Sequence, residues 1–196
     1  MPEQRGLRSQ ALVTQLSESV PEICLTWCHA SSAVEIGRLL GADLSTAARR
    51  TVVEADNESS ERVSQTGESN VLVIGEILPW HLVAEPGGAL AARRIGQLAA
   101  GSEAISLVIG DTLMHYSLLY ARDGHLLCRL RWLDEPSGDT AFLKPYIDDL
   151  DFTHETTSDD WKANALELVH RITGVSLTKV WLERPHIRYL VTADSI

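Results

Sequence analysis

The segment from Glu103 to Trp132 constrains the fold most. Ile105, Leu107 and Ile109 alternate with Ser106 and Val108, "MHYSLLYA" follows Gly110-Asp111, and "HLLCRLRW" follows Asp123-Gly124. Successive side chains of a strand point to opposite faces, so this alternation predicts half-buried strands. Asp-Gly between two such runs suits a two-residue type I′ turn, which needs positive φ at both central residues. Strands joined this tightly pair antiparallel. The turn also sets the register: Leu119 should face Cys128, Ser117 face Leu130 and His115 face Trp132. The opposite face then carries Tyr116, Leu118, Tyr120 and Leu127 with Arg129 and Arg131. The four residues Tyr116, Tyr120, Arg129 and Arg131 are either a solvated face with arginine stems lying over tyrosines or a basic and aromatic recognition patch.

Other elements follow from local patterns. "EICLTWCH" predicts a strand with Leu25 and Trp27 on one face and Cys24, Thr26 and Cys28 on the other. Ser32 and Glu35 form a capping-box pattern ahead of Val34, Ile36, Leu39 and Leu40, and Gly41 suits the stop of that helix. "VLVIGEILPWHLVAEP" predicts two strands, with Pro79 marking an edge or a break. A helix is expected over 89–100, a short proline-interrupted one near Pro145, and a longer one from about Ser158 to Thr173, with Trp161, Ala165, Leu168 and Ile172 inward and Gly174 as its stop. "LTKVWLE" suggests one more turn and "IRYLVTA" a last strand. Residues 1–20 are expected to be a flexible N-terminal segment, with Leu12, Val13 and Leu16 its helix-spaced apolar group. Residues 54–70, "EADNESSERVSQTGESN", are polar and acidic and predict a mobile loop. The expected architecture is a single α+β domain over 21–196, a mainly antiparallel sheet with helices packed on one face.

Several chemistries lack their residues. Gly87-Gly88 is followed by Ala-Leu-Ala-Ala, without the lysine and hydroxyl of a phosphate-binding loop, and the spacing to Gly96 does not suit a dinucleotide fingerprint. The pair is read as a strand-to-helix corner. Cys24 and Cys28 have three residues between them and no second cysteine pair, and "HETTS" lacks the second histidine of a zinc-protease motif. The acids Asp148, Asp149, Asp151, Asp159 and Asp160 lack the glycine and terminal glutamate of a calcium loop. No nucleophile elbow occurs. No metal site and no cofactor are therefore expected.

The formal net charge is -10, from 27 acids against 17 bases, which disfavours nucleic acid and anionic membranes as partners. "MPEQRGLRSQALVTQLSESVPE" has no apolar core of a signal peptide, and three cysteines in apolar surroundings fit a reducing compartment, so a cytoplasmic location is expected.

The segments "CLTWCHASSAVEIGRLLGAD", "WHLVAEPGGALAARR", "LAAGSEAISLV", "YARDGHLLCRLRW" and "LELVHRITGVSLT…YLV" resemble an actinobacterial family catalogued as a domain of unknown function. The likeness covers about 22–193 and rests on hydrophobic and turn positions. Where that family commonly has Arg-Gly, this chain has His29-Ala30. The resemblance implies a cytoplasmic α+β domain of no established activity and supplies no catalytic residues.

Two functions are expected in competition. One is a non-enzymatic protein-interaction module that neutralises a basic partner such as a toxin, through the hairpin patch and through Asp148, Asp149 and Asp151. The other is a small-molecule-binding protein or hydrolase-like enzyme with a pocket near His81 and His115, where Glu85 and Asp111 also fall at or near strand ends. Self-association as a homodimer through the aromatic hairpin face is a third alternative.

Overall fold

The hairpin forms. In the computed structural model Asp123 and Gly124 have φ of 50° and 83°, as a type I′ turn requires. The structure describes residues 2–30, 32–67 and 71–191, with all their side chains except those of residues 2–9 and 66. Around this turn, β5 (Glu103–Gly110), β6 (His115–Arg122) and β7 (His125–Arg131) are consecutive antiparallel neighbours.

The expected register holds only beside the turn. Arg122 faces His125 and Ala121 faces Leu126, but then Tyr120 faces Cys128, Leu118 faces Leu130 and Ser117 faces Arg131. Leu127 is the extra residue of a β-bulge, and beyond it every β7 side chain changes face. The physical reason lies in burial. Tyr116, Leu118 and Tyr120 belong to a closed core, and the bulge turns Cys128 and Leu130 into it. Without the bulge, Arg129 and Arg131 would enter that core with no counter-charge to offset desolvation.

The remaining strands extend the sheet. They are β1 (Glu22–Cys28), β2 (Ala42–Arg50), β3 (Val71–Ile77), β4 (Trp80–Pro86), the two-residue β8 (Ser137–Gly138) and β9 (His186–Val191). The order is β2-β9-β3-β4-β1-β5-β6-β7-β8, and every pairing is antiparallel. Pro79 occupies the tight turn between β3 and β4, so β4 is an interior strand. β1 has the two faces read from its sequence: Leu25 and Trp27 lie in one core cluster and Cys28 in the other.

The fold is α+β with an antiparallel sheet, as expected, but helices cover both faces. On the Trp27 face lie α1 (Pro2–Ser19) and α7 (Ser158–Thr173), packed along one another, with Leu12, Leu16, Trp161, Ala165 and Leu168 in a single cluster. Near them are α6 (Lys144–Ile147) and α8 (Lys179–Glu183). On the Cys28 face lie α2 (Ala33–Leu39), α4 (Leu90–Arg93) and α5 (Ile95–Leu98), through Ile36, Leu90, Ile95 and Leu98. The helix expected over 89–100 is thus two short ones. No helix among the described residues is long and apolar enough to cross a membrane.

Two expected flexible segments are helical. α1 buries Leu12, Val13 and Leu16, with Val20 just beyond it, so the N-terminal segment packs from Leu12 onward. Residues 52–66 form α3 (Val52–Thr66). Thr51 caps it reciprocally with Glu54: the Glu54 N–H donates to Thr51 Oγ1 at 3.2 Å and the Thr51 N–H to Glu54 Oε2 at 2.8 Å. Its buried stripe is only Val52, Ala55 and Ser59, and Ser59 donates to the Pro86 carbonyl at 2.9 Å. A stripe this narrow leaves the composition polar although the helix is docked. Residues 68–70 of the expected loop and 192–196 of the expected domain lie outside the described residues.

Candidate functional site

Strand register separates the expected pocket residues. His81 faces Cys28 across the β1–β4 pair, whereas His115 faces Gly110, which in turn faces Glu22 at the other end of β1. Six residue steps of β1 lie between these ends, roughly 20 Å. The two histidines therefore do not converge, and the exposed His115 has neither Glu85 nor Asp111 as a hydrogen-bond partner.

Glu85 answers the question of the glycine pair. Its carboxylate accepts from the Leu90 and Ala91 N–H groups, both at 2.8 Å. The amides that an anion would have used are taken by a side chain of the same corner. Glu85 is 2% exposed, and burial pushes its pKa up to about 7 against the opposing pull of those two N–H groups and of Arg93. It lines a cavity of about 270 Å³ with Glu22, Gly87, Gly88 and Arg93.

Asp111 belongs to a structural knot on the Trp27 face. It accepts from Tyr116 Oη at 2.8 Å and from Lys162 Nζ at 2.9 Å. Burial would raise its carboxyl, but the hydrogen bonds from Lys162, Ser17 and Tyr116 outweigh that and hold it below the usual range. Lys162, itself buried, also pairs with Asp159 at 2.8 Å, donates to Ser17 Oγ at 3.0 Å and lies over the Tyr116 ring at 5.1 Å. Three elements are tied by one ammonium.

The recognition patch does not assemble. Tyr116 and Tyr120 are buried at 4% and 0% exposure, Tyr120 stacked on Phe142 at 4.1 Å, while the bulge sends Arg129 and Arg131 to the other face. The tyrosine face is therefore not a surface on which two copies could meet. The acid group is largely engaged within the protein. Asp149 pairs with Arg171 through both carboxylate oxygens, and Asp151 accepts from the Thr153 N–H at 2.9 Å. Asp148 is exposed beside them.

A second expected residue also lines a cavity. His81 borders a space of about 370 Å³ on the Cys28 face, where β2, β9, β3 and β4 end together. His81 is 6% exposed, and its Nδ1 is buried without a hydrogen-bond partner. Its cross-strand neighbour Glu76 supplies the one carboxylate of the lining among the described residues. The rim carries Arg49 and Arg184, neither in an ion pair among the described residues; Arg49 Nη2 donates to the Pro185 carbonyl at 3.0 Å. His186 borders the space from β9, with its ring turned to the Trp27 face of the sheet. Its Nε2–H donates to the Trp181 carbonyl at 2.8 Å and its ring stacks on Trp181 at 4.1 Å. Burial first, then the charges of Arg184 and Arg49, lower its pKa against the raising effect of that carbonyl, so His186 is neutral near pH 7. Any Cβ at position 75 would collide with the imidazole, so only glycine fits there.

The model of a family described as a family of unknown function, DUF6461, matches residues 14–193. The chain belongs to that family. No curated protein and no solved structure matches it. The matched range contains the nine strands and the cavity lining seen among the described residues, but the family assigns no activity, so the chemistry rests on the residues themselves. Two guanidinium groups and one imidazole, with a single carboxylate among the described residues, around a small space favour an anion. Among the described residues the lining offers no activated nucleophile: Ser32 Oγ accepts from the Glu35 N–H at 3.2 Å as a helix cap. Burial pushes the Cys28 thiol up to about 12 and Cys128 to about 11, and raises Cys24 strongly, which removes thiolate chemistry from all three.

Arg49, Arg184 and His186 were not singled out from the sequence. The signal available was weak: "RR" ends a run of small residues, and "ERPHIR" begins a strand after a proline.

Proposed function

We propose that the chain is a non-enzymatic binding protein for a small anion, held in the cavity beside His81. The observation that carries this is a buried histidine with an unpartnered ring nitrogen, flanked by two arginines that have no acidic partner among the described residues, on a chain of net charge -10. An isolated basic site on an acidic protein concentrates anions that the rest of the surface repels. A phosphate or carboxylate suits the planar donor fork of arginine. The three buried free thiols support a reducing, cytoplasmic setting.

Calorimetric titration with inorganic phosphate tests it. The wild type should bind one phosphate per chain saturably, and the double variant Arg49→Gln/Arg184→Gln should bind about tenfold or more weakly. Equal heats from both proteins would overturn the proposal.

A protein-interaction role is the second reading. What favours it is the β5–β6 turn, where Leu113 and Met114 are 81% and 60% exposed and Met114 has φ of 49°.

A further inference from the structure

The two arginines of the His81 cavity share it with a carboxylate that they do not neutralise. Glu76 lines the same space as Arg49 and Arg184, yet forms no ion pair with either. Cross-strand partners share a face of the sheet, so Glu76 and His81 lie on the face of Cys28. Arg49 lies there too, because its partner Ile187 packs in the Cys28-face cluster. The Glu76 backbone is engaged, its carbonyl accepting from Trp181 Nε1 at 3.1 Å. Its side chain is exposed and has no hydrogen-bond or ion-pair partner among the described residues.

An acceptor-only group beside two cations decides which anions can enter. A carboxylate offers lone pairs and no proton. Toward an anion whose oxygens are equally bare it can only be repulsive. Toward an oxygen that carries a hydrogen it accepts a charge-assisted O–H···O⁻ hydrogen bond, one of the strongest a side chain can make. A site that bonds a ligand hydroxyl rejects the analogue lacking it far more sharply than an apolar wall rejects an added group.

We infer that Glu76 makes the cavity selective for an oxyanion that brings an O–H of its own, inorganic phosphate being the simplest. Arg49 and Arg184 hold the bare oxygens, and the protonated one donates to Glu76. Sulfate, which has no hydrogen to donate, is turned away by the same carboxylate. This selectivity rests on the anion-binding role proposed above and narrows its ligand class.

Phosphate and sulfate isolate the hydrogen. At about pH 8.5 both are tetrahedral dianions, and only phosphate retains a proton. Calorimetric titration of the wild type should show phosphate bound about tenfold or more tightly than sulfate. Glu76→Gln alters an exposed side chain and leaves the strand's backbone hydrogen bonds in place. It should bring the two affinities to within about threefold, chiefly by tightening sulfate, because a carboxamide both accepts and donates. Binding of neither anion to the wild type overturns the anion-binding role and the selectivity together. Sulfate bound as tightly as phosphate, or more tightly, overturns the selectivity and leaves the anion-binding role standing. A preference for phosphate that Glu76→Gln leaves unchanged overturns the part assigned to Glu76.

Discussion

Glu85 is the residue whose burial has the clearest thermodynamic consequence. Desolvation raises its pKa from 4.5 to about 7 although two backbone N–H groups favour its charged form. Between those values the folded chain holds a proton that the unfolded chain has lost. The stabilisation from Glu85 is therefore fully present below about pH 4.5 and is lost as pH rises through about 7, a change of about 3 kcal/mol. Asp111, Asp149 and Asp151 have lowered pKa values and act in the opposite sense, losing their contribution as pH falls. Comparison with Glu85→Gln isolates the one residue. Urea unfolding should show the wild type losing stability relative to this variant between pH 5 and pH 8; parallel curves would mean that Glu85 does not titrate in that window.

Elements show which sequence signals are sufficient and which are not. α7 was legible from its apolar stripe and Gly174, and the structure adds Thr157 as its cap, accepting from the Asp160 N–H at 3.2 Å. α2 was legible from Ser32 and Glu35. α3 was not, because Val52, Ala55 and Ser59 dock it through too few apolar atoms to raise the composition of 54–70. Thr51→Ala should cost about 1 kcal/mol by removing half of the capping box, with faster amide exchange confined to the first turn of α3. Unchanged exchange there would show that docking alone holds the helix. The hairpin illustrates a different limit: Asp123-Gly124 announces the turn, but nothing in "HLLCRLRW" marks Leu127 as the extra residue. The bulge is decided by which side chains the core accepts, a tertiary cause invisible to alternation. β2 was missed because an edge strand of small and polar residues has little apolar alternation to read.

At the scale of the molecule, the sheet sets what can act together. Antiparallel register sends His81 and His115 to opposite ends, a separation that no local pattern discloses before the strand order is known. The same register gathers Arg49, Glu76, His81, Arg184 and His186 from distant stretches of chain around one cavity. Of the expected pocket, His81 alone was legible, as a histidine at a strand start; its arginines come from β2 and from the α8–β9 turn, which meet only because β2 pairs with β9. The fold thus opposes a local basic recess to an acidic whole, and the proposed function requires that recess to hold an anion. Resolved histidine ring signals during a phosphate titration test it most directly. The His81 ring resonances should shift and saturate while those of His115, at the far end of the sheet, stay in place. Shifts of equal size at both rings, or none at His81, would contradict it.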